Sequence, residues 1–361
     1  MNNILQNYIL RFFLKILFMI FGIFILFVFL ITILDEIGTL KSFQEPTLID
    51  YIFIVFFKSP TLFLNFVPFI FLFSGIFFFL ELYKNNEIIA LRNSTFSNFK
   101  IILIPSITSF FLGIIIVFVL VPFSSFFLKK YENLKSQYSD TSNLLMVNQT
   151  GFWIYEKRDK NKIFLHLDNL NLKKKTYDSG SIFIFDNNME FIEKIDLKEG
   201  KIFNNKIELN ELVTKNDDKK LMINKNKITK IDLPTDTILS KFRNVETVNF
   251  FDIEKEIELN QSIGYTTDFL TTRYHKIVSL PFYIFLMIIF SGLITINLKK
   301  TASYLVYGMI GVFVSISLYF LSDLSVTAGL AGYIPLILSI WLPILLISIF
   351  NIVGMLQTNA K

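Results

Sequence analysis

The sequence predicts an α-helical integral membrane protein with six transmembrane helices, three before and three after an inserted extracytoplasmic all-β domain of jelly-roll or sandwich type. Three observations predict this. The 361-residue chain has a mean hydropathy of +0.53 and 43 Phe, too apolar for an ordinary soluble protein. Its charge is segregated, with 25 of the 35 Lys/Arg and 23 of the 30 Asp/Glu inside residues 129–276. That polar block, about 150 residues long, is too long for a loop and must fold as a domain of its own. The plan is therefore a first helical triplet over 1–128, with a polar, helix-compatible cytoplasmic segment near 84–95, a β domain over 129–276 and a second triplet over 277–361.

Residues 16–34 supply about 19 apolar positions, enough for one span at 1.5 Å per residue. No small-x-small cleavage site follows, so they read as a retained helix rather than a signal peptide. Residues 51–57 are apolar but short and stop at Lys58-Ser59-Pro60, which suggests an interfacial piece or an outer extension of the second span. Residues 61–80 form that span, with Pro68 as a kink that membrane helices tolerate. Residues 81–100 are polar and helix-compatible. The third span covers 101–128, with Pro105 and Pro122 near its ends. After the block come 277–298, 302–321 and 334–355, the first two joined by the basic turn Asn297-Leu298-Lys299-Lys300.

Orientation follows from the short loops. With the N-terminus inside, the inner segments carry Arg11, Lys15, Lys84, Arg92, Lys100, Lys299, Lys300 and Lys361. The outer loops carry only Lys41 and Lys58, and are marked by Asp35, Glu36, Glu45, Asp50 and Asp323. This is a positive-inside pattern, with both termini cytoplasmic and the central block extracytoplasmic. Within the block, residues 152–155, 162–172, 181–185, 190–197, 206–212 and 227–233 alternate and are rich in Ile and Phe, which reads as short strands. Residues 252–274 read as more helical.

Much chemistry is excluded. There is no cysteine, so no disulfide, thiolate metal site or thiol nucleophile. There is no G-x-x-x-x-G-K-[ST], so the chain holds no P-loop for ATP, and no G-x-S-x-G. His166 and His275 lie far apart without metal-ligand spacing, and His166 sits in an alternating strand as an ordinary imidazole. The polar block is nearly neutral and shows no basic stripe for nucleic acid. The glycosylation-type triplets at Asn93 and Asn148 are common by chance. No catalytic constellation is visible, so the chain reads as a non-enzyme without a cofactor of its own.

The most unusual stretch is Asn85-Asn86-Glu87-Ile88-Ile89-Ala90-Leu91-Arg92. Asn85 or Asn86 can cap a short helix with Glu87 in its first turn, and Ile88, Leu91 and Thr95 then share a face. Glu87 either meets a basic residue of a cytoplasmic partner or simply complements the helix dipole. Placed between the second and third of six spans, this stretch resembles the LptF/LptG (YjgP/YjgQ) lipopolysaccharide export permeases. Val121-Pro122 and Gly151-Phe152-Trp153 resemble the family too. So do Tyr319-x-x-x-Asp323, Gly329-x-x-Gly332-Tyr333-Ile334-Pro335 and Trp341-Leu342-Pro343. The C-terminal features are most like the LptG subunit. The chain departs at Phe96, where the family often has Gly.

The resemblance implies half of an ABC transporter. An LptF-like permease subunit would pair with the chain, an LptB-like ATPase dimer holding ATP and Mg would dock below, and an LptC-like single-span protein would pack alongside. It places ATPase coupling on Glu87, Leu91 and Arg92. Charges at the outer face, Asp35, Glu36, Lys41, Lys129, Lys130 and Asp323, either flank helices in the usual way or form a lipopolysaccharide site of Lys129, Lys130, Lys41 and Asp35, with Lys129 and Lys130 on the phosphates, which suit ammonium donors. Lys129 matches the family best; Ile31-Thr32-Ile33 stands where relatives can carry a lysine. Phe-rich spans one and five line an acyl-chain cavity or face ordinary lipid. An alternative of a different class is a mechanotransmitting or sensory membrane protein that moves no lipid.

Overall fold

Runs of Phe, Ile and Leu that enter lipid find no water for their backbone groups, so those groups must bond internally as helix. The computed structural model describes residues 2–40, 48–93, 97–138, 152–158, 161–167, 170–171, 176–177, 179–186, 190–197, 200–203, 206–207, 212–215, 222–224, 231–232, 244–262, 266–297 and 303–359. Six helical segments among them are long and apolar enough to cross a membrane. Helix α1 is Asn2–Leu40 and α2 is Leu48–Lys84. A short α3, Glu87–Asn93, follows. Helix α4, Asn98–Ile115, passes through a π-helical turn, Ile116–Leu120, into α5, Val121–Tyr138. Later come α6 (Ile253–Ser262), α7 (Asp268–Asn297), α8 (Tyr304–Leu330) and α9 (Leu336–Asn359).

The helices outrun their apolar stretches. Residues 51–57 are not a separate interfacial piece but early turns of α2. Pro60 has no N–H for the Phe56 carbonyl four residues back, and the Ser59 hydroxyl donates to that carbonyl at 3.1 Å instead. The π turn has a similar cause. Pro122 cannot donate to the ladder, and the Val121 N–H bonds five residues back to Ile116 O. Helix α8 continues past residue 321, so Asp323 lies within a helix rather than in an outer loop. It ends where Gly332 turns left-handed, φ +79°, and the N–H groups of Gly332 and Tyr333 return to Gly329 O and Ala328 O, each at 3.0 Å.

Two compact units emerge. The first holds residues 1–133, 245–254 and 268–361. Helices α2 and α7 form its centre; α1 packs on α2, α4 on α7, α9 on α7 and α8, and α8 also on α2. Ile9, Phe13, Phe78, Phe79, Ile102 and Ile288 are buried in its main core, and Leu72, Ile76, Met287, Tyr307 and Ile347 in a second. Close approach needs small residues. A Cβ on Gly113 would stand 2.8 Å from Pro281 Cα, so α4 and α7 touch backbone to backbone there. Burial is uneven. The most apolar stretch of α2 is 67% buried, that of α1 28% and that of α8 only 17%.

The second unit, residues 134–244 and 255–267, carries two antiparallel sheets. One has the order β1-β2-β5-β6-β9-β10, with β1 Phe152–Arg158, β2 Asn161–Leu167, β5 Gly180–Asp186, β6 Phe191–Leu197, β9 Leu212–Lys215 and β10 Met222–Asn224. The other has the order β11-β8-β7-β4-β3, built from β3 Leu170–Asn171, β4 Thr176–Tyr177, β7 Gly200–Phe203, β8 Lys206–Ile207 and β11 Ile231–Asp232. In the larger sheet Leu165 pairs with Ile182 and Ile182 with Ile195, while Leu167 pairs with Gly180 and Gly180 with Leu197. All six are buried, as the period-two pattern requires when one face is covered. The expected strand over 206–212 divides into β8 and β9, which belong to different sheets.

Candidate functional site

The two ends of the helical unit each gather polar groups. At one end, α2 closes in a tight turn. Asn85 N–H bonds Glu81 O at 3.0 Å, and Asn86 takes φ +58°, a left-handed value that asparagine tolerates. The Asn86 carbonyl then accepts from Ile89 and Ala90, starting α3. Ile88 and Leu91 are buried in the main core at 3% and 4% exposure, while Ile89 and Ala90 face outward. Leu91 thus fastens the helix, and its opposite face is the one open to a partner. Glu87 accepts a hydrogen bond from Tyr8 Oη of α1 at 2.8 Å. Tyr8 also stacks on Phe12, with ring centres 6.0 Å apart. The backbone of Arg92 lies in α3; its side chain, like Thr95 and Phe96, is outside the described residues.

The same turn is held from another direction. Tyr304 Oη, at the start of α8, donates to Glu81 Oε2 at 2.9 Å, and Lys84 Nζ lies 3.3 Å from the centre of the Tyr304 ring. Beside Tyr8, Ile4, Asn7, Arg11, Phe12 and Lys15 of α1 line an open groove.

At the opposite end, Lys58 of α2 reaches Asp35 and Glu36 of α1 and bonds both carboxylates. The Glu36 side chain is fully buried and also accepts from Tyr131 Oη of α5 at 2.8 Å. The Lys58 ammonium stands 5.6 Å from the Tyr131 ring centre. This clamp joins three helices. A buried carboxylate needs such partners, because burying it alone is costly. Lys129 and Lys130 immediately precede Tyr131 on α5 and are exposed, with Lys130 Nζ 5.6 Å from the Phe126 ring centre. Arg273 of α7 donates to Ser125 Oγ at 2.9 Å, while its Nη1 is buried and has no partner among the described residues. Lys41 lies outside the described residues.

Of the residues singled out from sequence, Asp35, Lys129 and Lys130 belong to this one end, and Glu87 and Leu91 to the other. Sequence reasoning missed that Lys58 pairs with Asp35 and Glu36, and missed Tyr131, Tyr8 and Tyr304. An ionisable residue inside an apolar helix was the available signal for Lys58. The tyrosine contacts bridge distant segments and leave no local pattern.

Six apolar helices with an inserted antiparallel β region define a multi-pass membrane protein. The family described as lipopolysaccharide export system permease LptF/LptG matches residues 7–357, and the chain belongs to that family. A search among curated proteins gives no match. Membership agrees with an inner-membrane setting.

Proposed function

We propose that this chain is an LptG-type permease subunit that extracts lipopolysaccharide from the inner membrane and passes it to a periplasmic bridge toward the outer membrane. The observation that carries the reading is α3. Within a chain matched over 7–357, the short helix between the second and third spans is anchored by Ile88 and Leu91 and turns its other face outward. That face docks a separate LptB-like ATPase dimer, which holds the ATP and Mg. This subunit catalyses nothing itself, and Glu87 and Arg92 meet the ATPase surface. An LptF-like subunit pairs with the chain, and an LptC-like single-span protein joins them.

The positive-inside pattern supports α3 on the cytoplasmic side and the Lys58 clamp on the periplasmic side. Lys129 and Lys130 then stand where lipid A phosphates pass, with Lys41 and Asp35 flanking them. The sparsely buried apolar faces of α1 and α8 suit acyl chains and a second permease subunit. The β region closes as a jelly-roll and takes the lipid onward.

Depletion in the native cell followed by surface labelling of lipopolysaccharide tests this. Export loss with accumulation at the inner membrane is the expected result, and unchanged surface lipopolysaccharide refutes it. At the coupling site, Glu87→Ala should reduce lipopolysaccharide-linked ATP hydrolysis about ten-fold or more, as loss of a charge-assisted contact does.

A further inference from the structure

We propose that Tyr8 and Tyr304 are positioning residues that transmit movement of the α2–α3 turn to α1 and α8, the two spans least buried in the helical unit. The proposal rests on the export reading above and names how its docking helix acts on the rest of the chain. Two phenolic hydroxyls reach carboxylates of this turn, and they come from different helices: Tyr8 Oη to Glu87 at 2.8 Å and Tyr304 Oη to Glu81 at 2.9 Å. Each bond is charge-assisted, and each ring has a second hold. Tyr8 lies on Phe12, and the Lys84 ammonium lies over Tyr304.

Packing explains why these links matter. The most apolar stretch of helix α2 is 67% buried, so the turn that closes the helix moves with the core. Helices α1 and α8 have fewer buried positions than the other spans, with Ile9 and Phe13 of α1 and Tyr307 of α8 seated in the cores. Beside that packing, what ties their ends to the turn is polar and directional. A push on α3 reaches the core through Ile88 and Leu91, α1 through Tyr8 and α8 through Tyr304.

The absence of native cysteine makes the test direct, because introduced cysteines are the chain's only thiols. Nitroxides at Asn7→Cys and Ile89→Cys, both exposed, report the α1–α3 separation in the full chain in nanodiscs. A narrow distance distribution is expected with Tyr8, and one about two-fold broader with Tyr8→Phe, which deletes only the hydroxyl. Equal widths overturn the tether. This arm needs no ATPase and stands whether or not the export reading does.

In the assembled complex, Tyr8→Phe together with Tyr304→Phe should leave ATPase co-purification intact. Lipopolysaccharide released per ATP hydrolysed should fall about five-fold, the scale of losing a hydrogen bond to a charged group. An unchanged ratio refutes transmission. If the unmodified complex neither assembles nor exports, the export reading fails instead, and the spin-label widths still decide whether the tethers hold.

Discussion

A single lysine decides how the far end of the helical unit is held. Glu36 has no exposed side-chain surface and depends on Lys58 and Tyr131 for its charge. Lys58→Met keeps the apolar stem and removes the cation that the buried Glu36 carboxylate pairs with. The expected loss is about 3–5 kcal/mol, the usual scale for breaking a buried pair from one side. Lys58→Met with Glu36→Gln should recover most of it, since the amide oxygen still accepts from Tyr131 and no charge stays buried. Thermal unfolding of the purified chain in nanodiscs checks this, and equal melting temperatures for the single and double variants would refute the clamp. At this scale the sequence was partly legible. Asp35 and Glu36 were visible as the polar close of an apolar run, and Lys58 as an interruption. Their union was not, because the residues are twenty or so positions apart on different helices and pairing depends on how α1 packs on α2. Glu87 stood out through its motif, whereas nothing near Tyr8 points to a carboxylate 79 residues away.

At the scale of elements, apolar runs located every span, but their ends were set by forces that hydropathy does not measure. The α2 turns over 51–57 survive Pro60 because Ser59 takes over the orphaned carbonyl. The third span survives Pro122 by changing its hydrogen-bond phase. Strand periodicity found the longer strands of the large sheet, yet two-residue strands such as β4 and β11 are too short to show a period. Close helix contacts were equally silent, and they yield a contrast that can be measured. At Gly113 an added methyl meets the Pro281 backbone at 2.8 Å, which cannot rotate away. Gly113→Ala should destabilise by about 1–3 kcal/mol through overpacking. At Gly22 and Gly308 a Cβ meets nothing within 4 Å, so alanine there should be neutral or slightly stabilising, by less than about 1 kcal/mol. Melting temperatures that fall equally at all three positions would show that the α4–α7 contact is not the tight one.

At the scale of the whole molecule, the uneven burial of the helices is an argument about what surrounds them. A helix set entirely in lipid and one facing a partner subunit look alike in sequence, since both present Phe, Leu and Ile outward. They differ in what reaches them once the partner is present. Phe27 and Leu30 on α1, and Phe313 and Phe320 on α8, are all at least 47% exposed. Phe111 on α4 is 58% exposed but belongs to a helix that packs chiefly on α7. If α1 and α8 meet a second permease, single cysteines at Leu30 and Phe313 should react with a lipid-phase maleimide in the lone chain and be protected about ten-fold on co-expression with the partner, as buried interface positions are. Phe111→Cys should react alike in both. Protection of all three would mean that the partner encloses the whole unit. Protection of none would mean that these faces meet lipid alone, and the cavity would have to be sought elsewhere. The expected pattern follows from geometry: a chain whose central helices are the most covered by their neighbours can complete a lipid-sized chamber most readily through the helices that its own core leaves least covered.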